Sequence, residues 1–195
     1  MKYLIASDIH GSARAAEKIV GLYRDLNPDY LILLGDLLYH GPRNPLPDSP
    51  GPKKVIELFN GCKDAIIAVR GNCDAEIDRE LLEFPCSGDY ALLADGGRTF
   101  FLTHGHLYRE DHLPFALKPG AVFLSGHTHV WRLEERNGMV CCNPGSAALP
   151  TGPSPLAAYA FYDNGRLGVY SLENSAPLAE RELGKLPAVT PGARV

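Results

Sequence analysis

The chain has 195 residues, 45% hydrophobic and 22% charged, with 20 glycines and 16 prolines, a composition that excludes disordered, fibrous and low-complexity classes. Its formal net charge of −4 leaves no positive field with which to grip a nucleic-acid backbone regardless of sequence. The apolar runs, about five residues each at 30–34 and 65–69, are too short to span a bilayer, and the N-terminal run is broken by Ser7 and Asp8 before it reaches signal-peptide length.

From the N-terminus, residues 2–7 predict a short buried strand and residues 13–26 a helix with Ala16, Ile19, Val20 and Tyr23 on one face, capped by Ser12 and stopped by Asn27-Pro28. A second strand over 30–34 leads through Gly35-Asp36 into a loop with prolines at 42, 45, 47, 50 and 52. A helix near 53–60 comes next, with Gly61 as its C-cap. A third strand over 64–69 runs into Arg70-Gly71-Asn72-Cys73-Asp74 and a helix carrying Ile77, Leu81 and Leu82. Alternating strands and helices imply parallel pairing. Beyond Phe84 the signals become hairpins: strands over 90–95 and 98–103 around Gly96-Gly97, then turns at Asn137-Gly138 and Asn164-Gly165, with a short apolar run over 121–125 between. This half is expected to be antiparallel. With no repeat and no linker, the expectation is one α/β domain over 1–195 containing two sheets, with a loose tail over about 188–195.

Tyr23, Phe59, Phe84, Phe100, Phe101 and Phe123 fall on apolar faces and read as core, so nothing is expected to recognise a nucleic-acid sequence. Five cysteines, Cys62, Cys73, Cys86, Cys141 and Cys142, form an odd set without C-x-x-C, which fits a reducing cytoplasm and not a disulfide framework.

The chemistry stands directly behind each apolar run: Asp8 and His10, then Asp36, Asn72, His104, and finally His127 and His129. Taken alone, Asp8-x-His10, Gly35-Asp36 and Gly71-Asn72 read as turn or cap residues and His104 as a loop histidine. Groups placed just beyond five strands, however, converge where open α/β sheets form their crevice. In Gly126-His127-Thr128-His129, alternate positions of an extended chain send both imidazoles the same way. Four histidines, two carboxylates and one carboxamide are too many for one tetrahedral zinc and suit two divalent ions. With Asp36 bridging, each ion has four protein ligands; a shared hydroxide leaves room for a substrate oxygen and makes the diester-loaded site formally neutral. Nitrogen and oxygen donors fit manganese, iron, nickel or zinc.

The motifs D-I-H (8–10), G-D (35–36), G-N-x-D (71–74), T-H-G-H (103–106) and G-H-T-H (126–129) resemble the calcineurin-like metallophosphoesterases in order and spacing. The stretches at 7–12, 40–44 (H-G-P-R-N), 69–74 (V-R-G-N-C-D) and 143–146 (N-P-G-S) are similar to a bacterial phosphodiesterase branch of that superfamily. The resemblance covers nearly the whole chain. It implies a four-layer α/β sandwich of two mixed sheets flanked by helices. It also implies a binuclear centre, Asp8, His10, Asp36 and His129 on one ion and Asp36, Asn72, His104 and His127 on the other, manganese being the expected metal. The implied activity is a hydrolase that cleaves a small phosphodiester by attack of a metal-bridging hydroxide.

One position departs from the pattern: the superfamily commonly has histidine after G-N, associated with protonating the leaving group, where this chain has Cys73. Asp36, Asn72, Cys73 and His104 are the catalytic candidates, and substrates with good leaving groups, such as activated aryl diesters, are expected to turn over best. His40 and Arg43 are candidates for contacting substrate oxygens, guanidinium geometry matching phosphate. His106 and the 143–146 turn read as loop residues. Two alternatives stay open: a protein-binding scaffold, as a retromer subunit resembling this fold is, and a phosphomonoesterase or phosphoprotein phosphatase. A surface patch for homo-oligomer formation is likewise open.

Overall fold

Alternation of side chains along the strands builds the architecture by sending successive residues into two different apolar layers. A computed structural model describes residues 1–184, so the tail expected over 188–195 lies outside the described residues. The elements are β1 (Lys2–Ala6), α1 (Ala13–Leu26), β2 (Tyr30–Leu33), α2 (Pro52–Asn60), β3 (Ile66–Ala68), α3 (Asp78–Leu81), β4 (Tyr90–Asp95), β5 (Arg98–Thr103), β6 (Val122–Leu124), β7 (Arg132–Arg136), β8 (Met139–Asn143), β9 (Ala158–Asp163), β10 (Arg166–Ser171) and β11 (Pro177–Glu182). They form a six-stranded sheet, β11-β10-β9-β1-β2-β3, and a five-stranded sheet, β4-β5-β6-β8-β7. Both are mixed, as expected.

Tyr3, Ile5, Ile32 and Leu34 from the first sheet meet Phe100, Leu102, Val122 and Leu124 from the second in the core between them. The rings of Tyr3, Phe100 and Tyr162 pack there at centroid distances of 4.9–5.5 Å. The opposite face of the first sheet presents Leu4, Ala6, Leu31 and Leu33 to α1 and α2, which bury Ala16, Ile19, Val55 and Phe59 against it. As predicted, Ser12 caps α1, its Oγ accepting from the Ala15 amide at 3.2 Å, and Asn27 ends it in the left-handed region at φ 46°. On the outer face of the second sheet, Phe101, Phe123 and Cys141 are covered by Tyr108, Leu113 and Leu117, which belong to an irregular segment and not to a helix.

Four differences from the sequence reading have local causes. Residues 63–65 turn as a 3-10 helix, so β3 begins only at Ile66. The helix expected after Asp74 is a single turn, because the Asn60 side chain binds the Leu81 carbonyl and the Glu83 amide, both at 2.9 Å, and stops it; of its three apolar residues only Leu82 is buried. The second half is not wholly antiparallel: β5, β6 and β8 pair in parallel, since hairpin signals report sequence neighbours and not crossovers. Finally, β11 was unforeseen. It closes the edge of the first sheet and ends on the charged run Glu180-Arg181-Glu182. No helix among the described residues is long and apolar enough to cross a membrane.

Candidate metal centre

The C-terminal ends of β1, β2, β3, β5 and β6 deliver the motif residues to one end of the sandwich, where the two sheets meet. There His129 Nε2 lies 3.3 Å from Asp8 Oδ1, and His10 Nε2 lies 3.6 Å from the same oxygen and 3.8 Å from Asp36 Oδ2. His104 Nε2 is 3.4 Å from Asp36 Oδ2 and 3.0 Å from Asn72 Oδ1. His127 joins through its backbone, its N–H donating to Asp8 Oδ2 at 3.0 Å, with its ring centroid 5.1 Å from that of His104. All seven expected ligands are therefore brought together.

The tautomers are set from outside. His10, His104 and His129 each donate Nδ1–H to a backbone carbonyl, of Tyr39, Leu34 and Leu149, at 2.7–2.8 Å. Such bonds leave the Nε2 lone pairs for ligation. His10 Nε2 and His129 Nε2 face each other at 3.1 Å, an approach that needs positive charge between them. Asp8 Oδ1 is buried and lacks a hydrogen-bond partner among the described residues, an expensive state for a carboxylate oxygen without a cation. These donors fit divalent metal ions.

Burial works to raise the Asp8 carboxyl, but the imidazoles of His10 and His129 outweigh it and hold Asp8 below the ordinary carboxylate range; burial is likewise outweighed at Asp36, by His104. Burial also works against charge on His104, yet Asp36 and Asp8 push it up to about 9. His127 and His106 are lowered, by burial and by the neighbouring His104. The carboxylates thus draw positive charge onto the Nε2 positions, a role that a proton and a cation compete for.

The backbone is bent to this purpose. Asp8, His10, Asp36, His127 and His129 all lie in the left-handed region, at φ 50–68°. Side chains other than glycine rarely adopt it, and such residues concentrate at functional sites. At Gly126 a Cβ would fall 1.9 Å from Ser7 Oγ and 2.8 Å from Asp8 Oδ2, so only glycine lets the G-H-T-H loop approach Asp8.

Residues outside the expected ligand set hold these loops in place. Asp74 accepts from the amides of Asp36, Leu37 and Gly71 at 2.7–2.9 Å, tying two of the motif loops together. Its place in G-N-x-D was the only signal. Ser146 Oγ donates to the Asp8 carbonyl at 2.7 Å, and Asn143 Nδ2 donates to the Gly126 carbonyl at 2.7 Å. The 143–146 turn, read from sequence as a loop, therefore props both the Asp8 and the G-H-T-H loops.

Beside the centre opens a cleft of about 680 Å³ walled by Tyr39, Arg43, Cys73, His127 and Thr151. Arg43 lines it, whereas the His40 ring lies edge-on to Tyr39, at 4.8 Å. Cys73 stands beside Asp36, whose Oδ1 accepts the Cys73 amide at 2.7 Å. Burial and then the Asp36 charge push its thiol up to about 12. The His106 ring lies 5.3 Å from that of His104, with a buried Nδ1 that has no hydrogen-bond partner among the described residues.

A family description, the calcineurin-like phosphoesterase superfamily domain, matches residues 1–165. The chain is 42% identical to phosphodiesterase YfcE of Escherichia coli K12 over 180 residues, 92% of this chain and 97% of that protein. A solved structure of the E. coli phosphoesterase YfcE superposes with a TM-score of 0.91 at 41% identity, covering 94% of this chain and all of that one. A zinc complex of Vps29 from Entamoeba histolytica shares the fold, with a TM-score of 0.60 at 18% identity over 94% of this chain and all of that one. The full set of ligand motifs, the geometry they adopt and these similarities agree, and the chain belongs to the calcineurin-like phosphoesterase superfamily.

Proposed function

We propose that this protein is a metal-dependent hydrolase of small phosphodiesters, one ion held by Asp8, His10, Asp36 and His129 and a second by Asp36, Asn72, His104 and His127. The observation that carries the reading is the set of outward-fixed Nε2 atoms aimed, with an orphaned Asp8 oxygen, at one spot beside an open cleft. When bound, divalent ions lower the pKa of coordinated water and neutralise charge on phosphoryl oxygens. Asp36 is suited to be the shared ligand, since its Oδ2 faces both His10 and His104 and its Oδ1 is anchored by the Cys73 amide. The carbonyl partners of His10, His104 and His129 keep the imidazoles in one tautomer and one orientation. Arg43 on the cleft wall offers a planar pair of donors to the non-bridging oxygens of the substrate; His40, three residues before it in the loop, packs on the cleft-lining Tyr39.

Similarity to a phosphodiesterase favours a diester over a monoester, and the net charge of −4 favours a small substrate over a nucleic acid. The nitrogen and oxygen donors accept manganese, the metal the family pattern implies, as well as iron, nickel or zinc, and five unpaired cysteines favour the cytoplasm. We read the chain as one catalytic domain. The test is hydrolysis of bis-p-nitrophenyl phosphate by chelator-stripped protein before and after adding Mn²⁺, with the p-nitrophenyl monoester in parallel. The expected result is cleavage only with metal and faster for the diester, lost in Asp36→Asn and His127→Ala while both variants stay folded. Absence of turnover with any divalent ion, despite bound metal, would overturn it.

A further inference from the structure

The proline-rich loop turns at Gly41, φ 79°, directly against Cys73: a Cβ at position 41 would come within 2.7 Å of Cys73 Sγ. Glycine there lets loop and thiol share the space. On the other side, Asn72 Nδ2 donates to Sγ at 3.2 Å and Asp36 Oδ1 accepts the Cys73 amide. The sulfur is thereby held at the rim of the cleft instead of swinging free in solvent.

In that position Cys73 Sγ, a carboxylate oxygen of Asp36 and a ring nitrogen of His10 all lie within 4.8 Å of one another. The His10 nitrogen is Nε2, because Nδ1 is committed to the Tyr39 carbonyl. A second feature points to a cation on the adjoining side of that nitrogen: Asp8 Oδ1, fully buried and without a hydrogen-bond partner among the described residues, lies 3.6 Å from the same Nε2, which the Asp8–His10–His129 and the His10–Asp36–Cys73 donor groups share. Among the described residues, the other four cysteines join no such donor group.

We propose that Cys73 is a direct sulfur ligand to the ion held by His10 and Asp36 when that ion is thiophilic, Zn²⁺ or Co²⁺, and remains a thiol beside Mn²⁺. A soft sulfur donor adds preference in this direction beyond what the imidazole and carboxylate donors supply. On ligation the S–H bond breaks, a metal–sulfur bond forms and the proton passes through the open cleft to water, with no change of oxidation state. The position that in the superfamily commonly carries a histidine becomes, in this chain, a selector among metal ions. The inference rests on the metal centre proposed above.

The test is titration of Co²⁺ into the chelator-stripped full chain, wild type, Cys73→Ser and Cys73→Ala, with bound metal quantified by atomic emission. The wild type is expected to show near-ultraviolet sulfur-to-cobalt charge-transfer absorption that both variants lack, while the visible cobalt bands persist in all three. Zn²⁺ affinity is expected to fall at least about tenfold in Cys73→Ser, as loss of a ligand costs no less than loss of an outer partner, with Mn²⁺ affinity little changed. Bound cobalt in the wild type without the near-ultraviolet band, or a band that survives in Cys73→Ser, overturns the proposal and leaves the metal centre standing. Failure of the wild type to bind cobalt overturns both. If the variants do not fold, the wild-type spectrum alone still decides.

Discussion

For single residues, the left-handed conformations of Asp8, His10, Asp36, His127 and His129 put stability and chemistry in opposition. A left-handed backbone costs an L-residue about 1–2 kcal/mol, partly offset on replacement by the extra unfolded-state freedom of glycine, about 0.5–1 kcal/mol. His127, half-exposed and repelled by a charged His104, loses little by truncation. His127→Gly is therefore expected to stabilise the chelator-stripped protein by about 0.5–1 kcal/mol, a rise in Tm of a few degrees, while abolishing hydrolysis. A fall in Tm on thermal unfolding would show that the left-handed backbone stores no strain there.

His104 makes the pH dependence specific. Its value is raised from 6.5 to about 9, so its pairing with Asp36 contributes stability that is complete below pH 6.5 and is lost as pH climbs through about 9. The stripped protein should lose Tm across that window. With metal, the dependence reverses sign over the same range, because protons leave the Nε2 positions that ions occupy and affinity rises with pH. Parallel melts with and without Mn²⁺ from about pH 6 to about pH 9.5 check this, and identical slopes would count against it.

For the elements, each candidate ligand was legible because it stands directly behind an apolar run, and a strand that ends in a loop is where α/β sheets put chemistry. The groups that hold those loops were not, since Asp74, Asn143 and Ser146 look like ordinary turn residues until their partners are known. Asp74 tests the point. Removing its carboxylate leaves the amides of Asp36, Leu37 and Gly71 without acceptors, each worth roughly 1–3 kcal/mol if it stays dry. Asp74→Ala should lower stability by roughly 2–4 kcal/mol, water offsetting the rest, and should lower kcat as Asp36 loses its orientation. Full activity at unchanged Tm would show that the loops hold themselves.

For the molecule as a whole, the centre is where two sheets become one site: Asp8, Asp36 and Asn72 come from the six-stranded sheet, and His104, His127 and His129 from the five-stranded one. Two packed sheets were implied by the family pattern. The parallel run β5-β6-β8 and the closing strand β11 were not, because local turn chemistry says nothing about which distant strands pair. The irregular segment between β5 and β6 has no hydrophobic period to reveal that it roofs Phe101 and Phe123. On the proposed assignment, ions at this junction would link both sheets, so metal binding should stabilise the fold as a unit.

All of this chemistry depends on the assignment of seven side chains to two ions, and anomalous scattering from crystals grown with Mn²⁺ would locate those ions. Two peaks are predicted, one among Asp8, His10, Asp36 and His129 and one among Asp36, Asn72, His104 and His127, with Asp36 between them. A single fully occupied peak, or manganese elsewhere with these side chains unliganded, would refute the assignment.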